Sequence, residues 1–210
     1  MKEKREQEDK PRRDLTDIVH FTENVSAKIH DLPDEAETCR TLREEFAKSK
    51  QYRVSLLLLT DNGAKFRLAE AGFPAGELEA AQRTVGVRAK RHKIDLNKPS
   101  MFSQVVEEGK TVEVKVSDII AELFPQRLAD SISNSLGAEN RTCILTPLMR
   151  HGNITGAFGI SSTELAEHFI PSVVNLAQHV SNALELADEY GARSGRGKIT
   201  KSSQGVRNAC

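Results

Sequence analysis

The chain has 210 residues, enough for one domain with extensions, and its Lys plus Arg balance its Asp plus Glu at 30 each, which removes any global charge argument for nucleic acid or an anionic membrane. Aromatics are 5% and Trp is absent, so base stacking has little to work with, and no apolar run reaches the roughly 18 residues of a membrane helix. The charged start MKEKREQEDKPRRD lacks the apolar segment of a signal peptide, and Cys39, Cys143 and Cys210 are too widely spaced for a disulfide framework or a CxxC metal site, so reduced thiols and a cytoplasmic setting are expected.

Residues 1–13 are almost wholly charged or polar and are expected to be disordered or to fray from the helix that follows. Asp14 offers that helix a cap. Leu15, Ile18, Thr22, Val25 and Ile29 recur at alternating spacings of 3 and 4, an amphipathic helix with a narrow, coiled-coil-like seam. Leu32-Pro33-Asp34 breaks it. A second helix is expected over 34–48, with Ala36, Cys39, Leu42, Phe46 and Ala47 on its inner side. Cys39 reads there as a small buried hydrophobe rather than a reactive thiol.

Residues 52–60, YRVSLLLLT, read as a strand whose leucine run suggests burial on both faces. Asp61-Asn62-Gly63 signals a turn, 64–70 returns as the partner strand with Phe66 and Leu68 inward, and Ala71-Gly72-Phe73-Pro74 ends it. A short helix fits 77–82 and a short strand 84–89. Arg88, Lys90, Arg91, His92 and Lys93 form a basic patch, either a solvated loop or an anion-binding rim; no Gly-rich cradle makes it a nucleotide loop.

A helix follows over 100–108, with Ser100 as its N-cap, Gly109 as its stop, and Met101, Phe102, Val105 and Val106 on its apolar side. TVEVKV, 111–116, alternates as a half-buried strand. Ser117 caps a helix to Leu123, Pro125 ends it, and 126–136 continue helically, with Leu128, Ile132 and Leu136 along one side before Gly137. Two apolar runs flanking Arg150-His151-Gly152-Asn153 make a β-hairpin over 143–162. Alternation in its second arm puts Ile154, Gly156, Phe158 and Ile160 on one face, and Thr155, Ala157 and Gly159, small enough for close approach, on the other. The longest helix, 164–190, carries Phe169, Val173, Leu176, Val180, Leu184 and Ala187 as its seam, tolerates Pro171 near its start and ends at Gly191. Residues 191–210 are expected to be a flexible basic tail. Consecutive hairpins imply a largely antiparallel sheet with helices segregated by face, an α+β domain over 14–190.

The order and spacing of four stretches resemble a GAF domain, the small-molecule sensor module related to PAS domains. They are the leading helix pair, YRVSLLLLTDNGAKFRLAEAGFP, then SMFSQVVEEGKTVEV, and last ILTPLMRHGNITGAFGISS followed by FIPSVVNLAQHVSNALELADEY. The ending is the most diagnostic: Pro147, Leu148, Gly152 and Gly156 match the family's hairpin, and Leu176-Ala177 with Ala183-Leu184-Glu185 match its last helix. The resemblance implies a central antiparallel sheet, terminal helices on one face, and loops and short helices on the other, roofing a ligand pocket. It implies a non-enzymatic sensory or regulatory module of signal transduction, with a signalling-protein partner and a homodimer through helices 15–29 and 169–187. No output region is readable after Tyr190.

By that topology the pocket lining comes from 84–136, and the candidates are Val87, Arg88, His92, Met101, Phe102, Val105, Val114, Phe124 and Leu128. The alternative is a dimerisation or interaction scaffold with an empty pocket, or a haem or redox sensor, for which His92 is the axial candidate. No metal site is expected. His168 and His179 lie about 16 Å apart along one helix, and neither HxxxH nor HExxH occurs. Some relatives reduce free methionine sulfoxide with grouped cysteines, and others attach bilins; the thiols here match neither arrangement. No GxSxG supports a hydrolase, so no enzyme is expected, and the cofactor is left unknown.

Overall fold

The computed structural model describes residues 2–32, 34–60, 63, 65–72, 83, 93–96 and 101–204, with side chains over 14–32, 34–60, 63, 65–72, 83, 96 and 101–192. The short helix expected at 77–82, the strand at 84–89, Ser100 as a cap, and Arg88, Lys90, Arg91 and His92 lie outside the described residues.

Helix α1 (Lys2–Ile29) begins within the charged segment, so Asp14 is an interior residue rather than its cap. Its apolar side is the expected one: Ile18, Thr22, Val25 and Ile29 are buried, whereas Leu15 is exposed. Thr22 is tolerated there because its hydroxyl donates to the Ile18 carbonyl at 2.9 Å. Helix α2 (Glu35–Lys48) starts where the Asp34 carboxylate accepts from the Ala36 amide at 3.0 Å, an N-cap worth about 1 kcal/mol. Cys39, Leu42 and Phe46 face inward, but Ala36 and Ala47 face solvent, a narrower stripe than expected.

The sheet has six strands, all paired antiparallel, in the order β3-β2-β1-β6-β5-β4. They are β1 (Arg53–Thr60), β2 (Lys65–Gly72), β3 (Lys93–Asp95), β4 (Val112–Lys115), β5 (Thr142–Arg150) and β6 (Asn153–Ser162). The hairpin between β5 and β6 turns on His151 and Gly152, both at positive φ (50° and 77°), the geometry of a type I′ turn whose twist matches the strands. Lys93–Asp95 pairs with β2, so the end of the basic patch is an edge strand, not loop. Alternation in β6 holds from Gly156 onward. A bulge between Met149↔Ile154 and Leu148↔Gly156 resets the register and turns Ile154 toward Gly109, out of the row expected for it.

Between β3 and β4 the chain crosses from one sheet edge to the other, carrying α3 (Met101–Glu107). Two more short helices follow β4, α4 (Val116–Leu123) and α5 (Gln126–Leu136). α4 begins at Val116 without a side-chain cap, so Ser117 lies within it. Its start is held instead by the Val116 amide donating to the Arg141 carbonyl at 2.9 Å. The last helix, α6 (Ile170–Gln204), starts after a 3-10 turn at Glu167–Phe169, later than expected. It runs through Gly191, since a glycine costs a helix about 1 kcal/mol relative to alanine and need not stop it.

Helices and sheet form layers. On one side α1, α2 and α6 cover Val54, Leu56 and Leu58 of β1, Ile144 and Leu148 of β5, and Phe158 and Ile160 of β6. Phe21 meets Phe46 edge-on across this layer (centroids 4.9 Å apart, 87°). On the other side α3 packs over Leu57, Phe66, Leu145 and Ala157, and α4 and α5 pack on each other through Ile120 of α4 and Ala129 and Ile132 of α5, with Ala138 just beyond. This is the α+β arrangement expected, with terminal helices on one face and short helices on the other.

Candidate functional site

On the short-helix side the register lines up successive rows across the central strands. Leu57 lies opposite Ala157, Ser55 opposite Gly159, and Arg53 opposite Ser161. Leu145 extends the second row and Cys143 the third. The first row is filled: Phe102 and Val105 of α3, 1% and 0% exposed, pack onto it with Phe66, whose ring centroid is 5.8 Å from that of Phe102. The next rows carry small and polar residues, and there a cavity of about 150 Å³ remains under α4 and α5.

Gly159 sits between two of the cavity's floor residues, Ser55 and Cys143. A Cβ at this position would stand 2.7 Å from Ser55 Oγ, 3.1 Å from Leu145 Cδ1 and 3.2 Å from Cys143 Sγ. Any larger residue would therefore displace the floor into the space above it. The floor is Arg53, Ser55, Cys143 and Ser161, and the roof is Val116, Ile119, Ile120 and Leu136, with Arg141 at the border. The Ser55 and Ser161 hydroxyls make no hydrogen bond among the described residues. Arg53 is 5% exposed, and its guanidinium donates to the carbonyls of Tyr52 (3.1 Å) and Lys50 (3.3 Å). Burial pushes the Cys143 thiol up to about 12, which keeps it protonated and a poor nucleophile. The chemistry on offer is hydrogen bonding, positive charge and apolar contact.

The residues picked from sequence are dispersed. Phe102 and Val105 belong to the filled core beside the cavity, with Met101 packed against them. Val114 is half-buried on β4, opposite Cys143 in the neighbouring strand. Phe124 packs on the α4–α5 cluster, and Leu128 is exposed. Val87, Arg88 and His92 lie outside the described residues. Among the described residues the cavity's lining includes Arg53, Ser55, Arg141, Cys143 and Ser161, together with roof residues from within the expected span. The run of small residues in β6 was the legible signal for it; the strand facing that run was not.

Among the described residues no cluster of His, Cys, Asp and Glu could hold a metal ion, and no helix is long and apolar enough to cross a membrane. Cys39 lies in the three-helix layer and Cys143 beside the cavity, so the sheet separates the two thiols.

The far end of the same hairpin is tied to the terminal helices by charge. Arg150, 12% exposed at its side chain, donates to Asp188 of α6 at 3.1 Å and to Glu35 of α2 at 3.2 Å. His151 Nδ1 lies 2.9 Å from Glu185. The Met149 amide donates to Ser181 Oγ of α6 at 3.1 Å. The strands that floor the cavity at one end therefore grip α6 at the other.

No curated protein matches the chain. Among solved structures, the GAF domain of a phosphoenolpyruvate-protein phosphotransferase from Coxiella burnetii superposes with a TM-score of 0.59 at 14% identity, covering 85% of this chain and 98% of that one. A methyl-accepting chemotaxis protein segment, residues 122 to 287, gives 0.56 at 14% identity, covering 80% and 98%. The free methionine-R-sulfoxide reductase of Neisseria meningitidis, solved with its substrate, gives 0.56 at 16% identity, covering 84% and 93%. At such identities these similarities establish the fold. The GAF domain family model matches residues 34–187, most of the chain, and with the sheet order and layering above it shows that this chain belongs to the GAF domain family.

Proposed function

We propose that this GAF domain is a non-catalytic regulatory module that binds a small molecule in the cavity under α4 and α5 and reports occupancy through α6. GAF domains are typically sensory or regulatory parts of signalling proteins. The observation that carries the ligand reading is the hollow itself: about 150 Å³ bordered by two hydroxyls unengaged among the described residues, beside the core of Phe66, Phe102 and Val105. Interiors close-pack, so a void next to polar groups is costly unless something occupies it. Transmission follows from the Arg150, His151 and Met149 contacts to α6, provided the ligand favours one arrangement of that helix over another.

Hydrogen exchange on protein purified from its own host tests this, paired with native mass spectrometry before and after exhaustive dialysis. The expected result is an adduct lost on dialysis, with protection falling in 116–136 and in α6. An identical mass and identical exchange throughout would remove the reading.

The filled centre favours a second reading, a domain acting through its surface alone. Phe102 and Val105 occupy the position where a larger ligand would otherwise lie. In either case we infer a homodimer through the outer sides of α1 and α6. The seams first considered for it are spent inside the protomer: Ile18, Val25, Val173, Leu176 and Leu184 are all within 1% of full burial. Leu15 and Val174, 37% and 40% exposed, remain outside to carry the contact. Val174→Glu is expected to convert a dimer to a monomer in analytical ultracentrifugation; a wild-type monomer at high concentration would refute the dimer. A signalling-protein partner in the cytoplasm completes this reading.

A further inference from the structure

Helix α6 differs from its neighbours in what it shows to solvent. α1 exposes Asp17, Glu23 and Lys28, and α2 exposes Arg40, Glu44 and Lys48. From Ile170 to Leu184 α6 carries no Asp, Glu, Lys or Arg, although 29% of the chain is charged. Over that stretch its exposed side chains are Pro171, Val174, Asn175, Gln178 and Asn182. At about 100° per residue they fall on one stripe, and Pro171, Asn175, Gln178 and Asn182 recur at spacings of 4, 3 and 4, the period of a seam between two helices. This seam is separate from the buried one of Val173, Leu176, Val180 and Leu184, which packs inside the protomer.

The amides on the stripe are already ordered. Gln178 Nε2 donates to Asn182 Oδ1 at 2.9 Å, which leaves Gln178 Oε1 to accept and Asn182 Nδ2 to donate outward. A strongly charged partner finds no counter-charge along this stripe, and depletion of charge marks the centre of protein interfaces. A second copy does find its complement. With two such helices antiparallel about a two-fold axis level with Val180, Gln178 meets Asn182 of the second copy and Asn182 meets its Gln178, acceptor to donor in both layers. One layer out, Asn175 meets Glu185 of the second copy, an amide donor before a carboxylate. A parallel pair would instead set acceptor against acceptor at Gln178, donor against donor at Asn182, and carboxylate against carboxylate at Glu185.

We propose that a second copy of this chain docks its own α6 antiparallel on the stripe from Pro171 to Asn182, the two helices registered by reciprocal Gln178–Asn182 amide pairs. This rests on the homodimer inferred above and gives it an axis and a direction. Amides in a helix seam specify register at a cost in stability, so the dimer is weak, and neutral pairs leave it little affected by salt.

The test places spin labels on single introduced cysteines in the full chain with Cys210→Ser; Cys39 and Cys143 are buried and stay unlabelled. Labels on Pro171→Cys are expected to be offset by about 27 Å along the helix axis and those on His179→Cys by only about 3 Å. Gln178→Lys should weaken dimerisation at least about tenfold in sedimentation equilibrium. Adding Asn182→Asp should restore it and make it salt-sensitive, because each new cation then faces a new anion across the axis. The substituted side chains are exposed or half-buried, and an unchanged melting temperature checks that the fold is kept. Short distances at both labels, or a double variant as weak as Gln178→Lys alone, overturn the antiparallel pairing and leave the homodimer standing. Long distances at both, or a dimer untouched by Gln178→Lys, put the contact on another face and overturn the pairing too. A wild-type monomer at high concentration removes the homodimer and the pairing together.

Discussion

The helix face of the sheet closes over Leu56, Ile144, Leu148, Phe158 and Ile160, each at 1% exposure or less, whereas on the opposite face the described residues close over its middle and leave a cavity beside it. The difference follows from the elements available. The first face is covered by helices of 28, 14 and 35 residues whose apolar seams run continuously along the strands. Among the described residues the second is covered by helices of 7, 8 and 11 residues, too short to be stable alone and held by what lies beneath them. Stability therefore concentrates on one side and adaptability on the other, the division expected where a ligand site shares a sheet with a core.

That contrast can be broken most directly by truncation. Phe158→Ala on the helix face is expected to cost about 3–5 kcal/mol in urea unfolding. Ile119→Ala removes a half-buried side chain beside space that is already empty and is expected to cost about 1 kcal/mol. Similar losses would erase the distinction.

Glycines sharpen it. A Cβ at Gly72 would stand 2.8 Å from both Phe46 Cβ and Val54 Cγ1 and 3.2 Å from the Arg43 carbonyl oxygen, in a layer that cannot give way. Gly72→Ala is expected to cost about 1–3 kcal/mol by thermal unfolding. Gly159→Ala meets first the Ser55 hydroxyl, which can rotate into the cavity, and should cost less than about 1 kcal/mol.

Alkaline titration separates the faces chemically. Cys143 rises from 9.0 to about 12 through burial, so the unfolded chain loses this proton first. Its contribution is complete below pH 9.0 and is lost as pH climbs toward 12, at up to about 1.4 kcal/mol per pH unit. Tyr52, in the three-helix layer, rises from 10.0 to about 12, chiefly through burial and also through Asp17 and Asp14, so its loss begins a unit higher. Unfolding of Cys143→Ala and Tyr52→Phe across this range should each remove one segment of the decline; unchanged slopes would contradict both assignments.

The smallest effect is expected at the joint between hairpin and terminal helix. Arg150→Lys keeps the charge but loses the fork that spans Glu35 and Asp188, whose side chains are 36% and 44% exposed. It should cost less than about 1 kcal/mol, with a cycle against Asp188→Asn giving a coupling that shrinks with salt.

The helix seams, the leucine strand and the hairpin were legible because each follows a single period set by its own residues. Ile18, Val25, Leu176 and Val180 announce themselves by spacing. The cavity was not legible, because it depends on which strands become neighbours. Ser55 sits in a run that reads as buried on both faces, and only its pairing with Gly159 of a distant strand turns it into the floor of a hollow. The bulge at Thr155 and the early start of α4 at Val116 were hidden for a similar reason, since the first is fixed by pairing with β5 and the second by the carbonyl of Arg141, just ahead of β5.

The pairing of β1 with β6 also governs how the chain is made. Leu57 faces Ala157, so the central seam of the sheet joins segments synthesised far apart in time. During translation β1 can pair with β2 as soon as the hairpin emerges, but its other edge, with the run Leu56 to Leu59, stays unpaired until β6 leaves the ribosome. An open, leucine-rich strand edge is a template for unwanted pairing. Yield in cells should therefore depend on translation speed between β2 and β6, and on holdase chaperones acting in that interval, even though the finished domain buries the whole seam.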